Sequence, residues 1–375
     1  MNQGKKIFIF SSSRADYGIL ENIIIELVKK KKYQVYLGLT KSHFSKKFGY
    51  ISSKYKKILK DKVIIFNKLK LSDDKVDTLL FNISSIFNEI RKIIKKNNFQ
   101  KIIVLGDRYE LLGACLPFFF AKTPIIHIHG GEETYGSYDN QIRKIISLMS
   151  SLHFVSHSNY KNNLINILQK KKNIYNYGSL AVENIESIKK FKSKKKIEKK
   201  FKIKFSQKNI FVSIHPETNL LAYHKKKINI FFKFLEKTKN FNIFFSSPGH
   251  DVGSQYIIHK IKKFTDKNYN AFYIKSFGKE YYFSVLKNCD CLIGNSSSGI
   301  IEAASLKIPV INLGDRQKGR IQSSNIVNSS YNDSNIMKKL NHIMSDNFQN
   351  SLKKVKNVYY RKNTKKKILQ KIINS

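Results

Sequence analysis

The chain has no tryptophan, three cysteines, five prolines and only 26 Asp and Glu against 70 Lys and Arg in 375 residues. Three cysteines, Cys115, Cys289 and Cys291, are too few for a disulfide framework or a four-thiolate zinc site. Cys289 and Cys291 stand one residue apart in an apolar run and read as a buried strand, in keeping with a reducing compartment. The longest apolar run, Leu111–Ala121, contains Pro117 and falls well short of the roughly 20 residues of a membrane span. Ile7–Phe10 is too short for the apolar core of a signal peptide. A cytoplasmic protein that engages no membrane is expected. The charge of +44 would ordinarily point to nucleic acid. Arginine is scarce, however: seven of the 70 cations are Arg and the other 63 are Lys. The lysines run from Lys5 to Lys371, in tracts such as 29–32 and 194–196 that read as solvated faces. No nucleic-acid partner is expected.

What is abundant is apolar: 41% hydrophobic residues, with 27 Phe and 20 Tyr, enough to fill large cores. The length suggests two domains. Short apolar runs are expected as strands at Lys6–Phe10, Gln34–Leu39, Val63–Phe66, Ile102–Leu105, Pro124–Ile128, Leu152–Val155 and Ile174–Tyr177. A second series comprises Ile210–Ile214, Asn242–Phe245, Ala271–Ile274, Cys289–Ile293 and Pro309–Asn312. Helical patterns lie between them, among them Gly18–Lys30, Lys75–Lys96, Asp139–Ser150 and Ser158–Gln169. This alternation is that of α/β domains with parallel sheets. The alternation pauses at Glu186–Gln207, so the expected domains are 1–185 and 186–356, with a C-terminal helix about 357–375 packing back on the first.

Ligands of open parallel sheets bind beyond the carboxyl ends of strands. Six polar clusters stand there: Ser11–Gly18, Gly106–Glu110, His127–Glu132, Ser213–Thr218, Gly294–Gly299 and Gly314–Arg320. Five of the seven arginines (Arg14, Arg108, Arg143, Arg316 and Arg320) lie in or beside them. Arginine offers a planar fork to phosphate or carboxylate that lysine lacks. Gly294-Asn295-Ser296-Ser297-Ser298-Gly299 follows a strand and precedes a helix expected near Ile300, so its hydroxyls and free amides suit phosphate. It is neither GxGxxG nor a P-loop. Glu302, placed one turn into that helix, either complements the dipole or accepts from ribose hydroxyls. His215, at a strand end before Pro216, suits donation to a phosphate oxygen. Asp107 and Glu132 follow neighbouring strands, and two carboxylates beside a phosphate site serve as acid and base or are paired with cations. Arg108 offers an ordinary loop partner for Asp107, Gly130-Gly131 suggests backbone approached by a ligand, and Asp139 is either an N-cap or a third functional acid. His127 and His129 alternate along a strand and so share no metal; no metal spacing stands out.

Together, Ser13-Arg14-Ala15-Asp16-Tyr17-Gly18, Gly106-Asp107-Arg108-Tyr109-Glu110, His127-Ile128-His129-Gly130-Gly131-Glu132, Gly294–Gly299 and Asn312–Arg320 resemble, in order, the motifs of the hydrolysing UDP-N-acetylglucosamine 2-epimerases of sialic-acid pathways. The likeness runs from Ser11 to about Arg320. It implies two Rossmann-like domains facing across a cleft, glycosyltransferase-B-like, and a nucleotide-sugar substrate. Release of UDP and N-acetylmannosamine, no cofactor, no metal and a homo-oligomer (dimer or tetramer) are also implied. By the same likeness the catalytic set is Asp107, Glu132, Asp139 and His215, and the substrate-binding set is Arg14, Asp16, Arg108, Ser296, Ser297, Glu302 and Arg316. One stretch departs from the family pattern: Ser246–Gly253 replaces an Asn-containing run before Asp-x-Gly. That loop is expected to face the ligand and to bear on which sugar is accepted. Two alternatives are a hydrolysing relative acting on a UDP- or GDP-linked 2,4-diacetamido sugar, and a binding protein without turnover.

Overall fold

The computed structural model describes residues 4–45, 49–51, 54–70, 76–217, 221–249 and 251–375. Lys75, Thr218 and His250, which figure in the expectations above, lie outside the described residues. The chain divides into two compact units. Unit 1 holds the strands β1 (Lys5–Ser11), β2 (Tyr33–Thr40), β3 (Phe44–Ser45), β4 (Gly49–Tyr50), β5 (Val63–Phe66), β6 (Phe99–Leu105), β7 (Ile125–Ile128), β8 (Leu152–Val155) and β9 (Ile174–Asn176). Apart from the short antiparallel pair β3–β4, these form one parallel sheet in the order β5-β2-β1-β6-β7-β8-β9. Its helices are α1 (Arg14–Val28), α2 (Lys54–Leu59), α3 (Val76–Lys96), α4 (Glu110–Phe120), α5 (Asp139–Met149), α6 (Ser158–Leu168) and the start of α7 (Leu180–Glu186). Alternation along β1 sends Ile7 and Ile9 to one core and Phe8 and Phe10 to the other, so helices cover both faces.

Unit 2 repeats the plan with β10 (Asn209–Ser213), β11 (Asn242–Ser246), β12 (Ala271–Ile274), β13 (Cys291–Gly294), β14 (Val310–Leu313) and β15 (Ile326–Ser329), in the order β12-β11-β10-β13-β14-β15. This is the Rossmann strand order. Helices α8 (Lys194–Phe201), α9 (Leu221–Glu236), α10 (Ser254–Lys267), α11 (Gly278–Lys287), α12 (Ser297–Ile301), α13 (Asp333–Met344) and α14 (Asp346–Ser351) join them. Val212 and Phe245 face one core, Phe211 and Phe244 the other. All three cysteines are free and buried; Cys291 lies in β13, whereas Cys289 precedes it. Among the described residues no helix is long and apolar enough to cross a membrane.

Three boundaries differ from expectation. The units part between Glu183 and Asn184, inside α7, because Leu180 packs in a unit 1 core and Ile185 in a unit 2 core. The pause at 186–207 is no bare linker: α8 buries Ile197 completely, and its lysines disguise a single apolar stripe. Residues Glu133–Ser137, from the middle of the first sequence domain, belong to unit 2. There the Tyr135 amide donates to the Lys318 carbonyl (3.0 Å), and Gly319 lies against the Tyr135 ring. At the far end, α15 (Thr364–Asn374) is shorter than the 357–375 expected and belongs to unit 1. It buries Ile368 and Ile372 fully, each worth about 1.5–3 kcal/mol, and Lys101 Nζ donates to the Ile372 carbonyl at 2.9 Å.

Candidate functional site

Each sheet changes winding direction beside its first strand; four of the six polar clusters sit at those two switch points, and those after β7 and β14 sit one strand away. In unit 1 the switch lies between β1 and β6. The loop after β1 opens α1, whose N-cap Ser13 accepts from the Asp16 amide at 3.3 Å. Arg14 begins that helix, and burial pushes its pKa down from the ordinary arginine value. Asp16 is half-buried, with Oδ2 out of contact with solvent and unbonded. Desolvation raises its pKa to about 7, against the opposing pull of Arg108 and the Ser13 hydroxyl, with Glu110 and Asp107 adding to the rise. This carboxyl therefore holds a proton near neutrality.

Asp107 and Arg108 follow β6. Arg108 Nε goes to Glu110 at 3.3 Å, and Asp107 is bound by Arg143 from α5. Arg143 is the hub of the unit 1 cluster. Buried to 1% exposure, it gives Nη2 to Asp107 and Nη1 to the Glu132 carbonyl and to Asn140 Oδ1. One guanidinium thus links the loop after β6 to the loop after β7, as only a planar multi-donor group can. Glu132 is buried; its Oε1 accepts from Ser156 at 2.9 Å, with His129 Nδ1 at 3.4 Å. The glycines before it serve the protein, not a ligand: Gly131, at φ +75°, has the Tyr160 carbonyl where a Cβ would stand, and Gly130 faces His127 and Ser147. His127 supports Asp107 from behind. Its Nε2–H donates to the Gly106 carbonyl at 2.8 Å, leaving Nδ1 to accept from Ser147 at 3.0 Å. Burial lowers its pKa to about 4, so it is a neutral strut. Asp139 is the first residue of α5, one turn before Arg143; the N-cap position is Tyr138, so Asp139 is not the cap.

In unit 2 the switch lies between β10 and β13. Gly294 ends β13 where a Cβ would stand 1.9 Å from the Ser213 carbonyl, so no side chain fits. Asn295 then clasps the neighbouring strand end: Oδ1 accepts from the His215 amide (2.7 Å) and Nδ2 donates to the His215 carbonyl (2.9 Å). The Asn295 carbonyl accepts from Arg316 Nη1 (3.1 Å) and Gln317 Nε2 (2.9 Å). His215, Ser296, Ser297 and Arg316 are therefore assembled around one buried asparagine. His215 Nδ1 accepts from the Gly249 amide at 3.4 Å, which leaves Nε2–H as the donor and places the divergent 246–253 loop against this histidine. Ser296 caps α12, but α12 has only five residues, so side-chain donors and free amides carry more of any anion affinity than a helix dipole does. Glu302 stands at the C-terminal end of that helix rather than one turn into a longer one, half-buried beside Tyr282. Buried Glu217 accepts from the Asp315 amide (3.0 Å) and from Lys227, pinning the turn that carries Arg316.

Sequence reasoning did not single out Arg143 as the hub, nor His129, Ser156, Asn295, Glu217 and Lys227. The rarity of arginine flagged Arg143, and the His-Pro-Glu run after β10 flagged Glu217; the others act through pairings that only the fold creates. Among the described residues no group of three His, Cys, Asp or Glu is placed to hold a metal ion.

Known proteins resemble the chain in sequence and in fold. The chain is 34% identical over 334 residues to the GDP/UDP-N,N'-diacetylbacillosamine 2-epimerase (hydrolyzing) of Campylobacter jejuni, covering 88% of this chain and 85% of that protein. It is 32% identical over 365 residues to the polysialic acid biosynthesis protein P7 of Escherichia coli, covering 96% and 91%. In fold it matches the UDP-GlcNAc 2-epimerase of Methanocaldococcus jannaschii, solved with UDP-GlcNAc and UDP, at a TM-score of 0.80 and 17% identity, covering 99% and 100%. The Neisseria meningitidis enzyme bound to UDP-GlcNAc gives 0.79 and 18% at the same coverage. With residues 25–373 also matching the family as a whole, the chain belongs to the UDP-N-acetylglucosamine 2-epimerase family.

Proposed function

We propose that the protein is a hydrolysing 2-epimerase that converts UDP-N-acetylglucosamine to UDP and N-acetylmannosamine for sialic-acid-type sugar synthesis. The observation that carries the reading is the Arg143 hub, which holds the Asp107 carboxylate and the Glu132 loop at adjacent strand ends. The C2–H of the sugar is not beside a carbonyl, so simple proton exchange is closed. The C1–O bond to the diphosphate breaks first, its electron pair leaving with UDP. The oxocarbenium character that results acidifies C2–H. A carboxylate of the Asp107, Glu132 and Asp139 set takes that proton, and the C–H pair becomes the double bond of a glycal. Protonation of C2 from the other face and addition of water at C1 complete an epimerising hydrolysis.

His215, Arg14, Arg316 and the Ser296-Ser297 hydroxyls are assigned to the leaving diphosphate, each worth about 3–4 kcal/mol in the transition state. Glu302 is assigned to the ribose, Arg108 to the substrate, and Asp16, half protonated near pH 7, to donation toward a sugar oxygen. Unit 1 is thus the sugar side and unit 2 the nucleotide side. Three buried free thiols suit a reducing compartment, and the cytoplasm is the proposed location.

A second reading has its own support. The relatives from Campylobacter jejuni and Legionella pneumophila are N,N'-diacetylbacillosamine 2-epimerases, and the 246–253 loop departs from the pattern of the N-acetylglucosamine enzymes. Incubation with UDP-N-acetylglucosamine, UDP-diacetylbacillosamine and GDP-diacetylbacillosamine in deuterated water, followed by NMR, separates the readings. Free N-acetylmannosamine carrying deuterium at C2 is expected. Turnover of a diacetamido substrate alone selects the second reading, and no release from any of the three overturns both.

A further inference from the structure

The chain's final return to unit 1 runs behind the loop that carries Glu132. Unit 1 resumes at Tyr359, and Glu132 is its last residue before the excursion at 133–137. No unit 1 backbone continues that loop until Tyr138, so the carboxylate depends on lateral contacts to hold its place. Two chains of contact lead from Tyr359 to it.

The first runs through the ring. Tyr359 and Tyr160 lie 199 positions apart in sequence and are both buried. Their rings stack with centroids 6.2 Å apart and planes at 21°, and their hydroxyls meet at 2.9 Å. Tyr160 stands in the first turn of α6, and its carbonyl fills the space beside Gly131 that a Cβ would need. Asn163 Nδ2 of the same helix donates to the Gly131 carbonyl at 3.0 Å. The stack thus fixes the wall against which the peptide before Glu132 is pressed, and in a close-packed interior the wall and the peptide move together.

The second runs through the backbone. The Tyr359 carbonyl accepts from the Ser179 amide at 3.0 Å. Ser179 Oγ accepts from the Ala181 amide at 3.2 Å, which sends the hydroxyl proton to His129 Nε2 at 3.3 Å. His129 Nδ1–H then faces Glu132 Oε1 at 3.4 Å. His129 is buried at φ +65°, a left-handed conformation uncommon outside glycine. Residues held in such conformations are over-determined by their surroundings and cluster at functional sites.

We propose that Tyr359 is a positioning residue for Glu132. It grips the loop through Tyr160 behind Gly131, and it holds the carboxylate through Ser179 and His129. The proposal rests on the reading of Glu132 as a reacting carboxylate and adds that the C-terminal return sets its aim.

Tyr359→Leu removes the stack and the hydroxyl; Tyr359→Phe removes the hydroxyl alone. On whichever of the three nucleotide sugars is turned over, Tyr359→Leu is expected to lower kcat about 10- to 100-fold, the scale for a misaimed reacting group, with KM nearly unchanged. Tyr359→Phe should lose about threefold, the effect of one modest hydrogen bond. In the Glu132→Gln chain the leucine change should cost less than about twofold more, since both changes act on one step. Full additivity, or a folded leucine variant with wild-type kcat, overturns the proposal and leaves the reading of Glu132 standing. Near-wild-type turnover of Glu132→Gln itself overturns that reading and the proposal with it. Should the leucine variant misfold, Tyr359→Phe carries the same cycle. Hydrogen exchange needs no substrate: amides 130–132 should exchange faster in the Tyr359 variants, with amides 294–299 of unit 2 unchanged. Undiminished protection at 130–132 overturns the proposal.

Discussion

The two units have the same strand order about their first strands and put polar loops at the same switch point, yet the side chains gathered there differ. Unit 1 gathers Asp16, Asp107, Glu110 and Glu132, balanced by Arg108 and a buried Arg143. Unit 2 offers hydroxyls, a histidine, a clasping asparagine and Arg316, with its one buried acid at that turn, Glu217, tied up by Lys227 and a backbone amide. A sheet of this kind fixes where a ligand is met and leaves the loops free to decide what is met there. On the proposed reading, acids held ready suit a place where positive charge develops and protons move, and hydroxyl, imidazole and guanidinium donors suit a place where a diphosphate is received.

Exchanging carboxylate for amide tests the contrast most severely. Asp107→Asn and Glu132→Gln are each expected to lower kcat at least about 100-fold, the range for losing a general acid or base. Calorimetry should show UDP affinity unchanged or slightly improved; turnover near that of wild type, or UDP binding lost in step with it, would make the residue structural. On the other unit, Glu302→Ala should weaken UDP by about 1.5–3 kcal/mol, the worth of hydrogen bonds to a charged group, with unit 1 chemistry intact at saturating substrate. An unchanged dissociation constant would leave Glu302 as a helix end only. Glu217→Gln removes the charge that Lys227 neutralises and loosens the Arg316 turn. A loss of about 1 kcal/mol in UDP affinity is expected, and rescue by Lys227→Met in the same chain would tie the loss to that pair.

A separate test reads stability rather than binding or turnover, at Asp16. Its carboxyl holds a proton up to about pH 7 when folded, against an ordinary value near 3.8. The folded state therefore binds the proton more tightly than the unfolded chain does. Stability is fully present below about pH 4, declines as pH rises toward 7, and is level above it. Asp16→Asn should remove that decline, so the gap between variant and wild-type melting temperatures should widen from pH 4 to 7. A constant gap over that window contradicts the assignment.

The sheets were legible because buried parallel strands are short, continuous apolar runs, and strand ends after such runs locate the clusters without knowledge of the fold. β15 was not legible: three of its four residues are only partly buried or exposed, so Ile326–Ser329 lacks the signature. α8 was hidden by lysines around one apolar stripe. The Arg143 partner of Asp107 was not legible because sequence shows Arg108 next door, whereas Arg143 arrives from 36 positions away on a separate helix. The glycines before Glu132 were misread for a related reason. A close approach is visible in sequence, but not whether a ligand or the Tyr160 carbonyl makes it.

The five residues that leave unit 1 after Glu132 and return before Tyr138 have a bearing on how this protein can be dissected. With the passages at 183–184 and 358–359, the polypeptide changes unit four times, so neither unit is a continuous stretch of gene. A fragment ending at Glu183 would carry the 133–137 excursion with nothing to receive it and would lack α15. A fragment of 184–358 would leave the Lys318 carbonyl and the Gly319 surface uncovered. Truncation at the apparent domain border therefore removes parts of both halves, and chimaeras between relatives of different sugar preference should exchange the 133–137 segment together with 184–358.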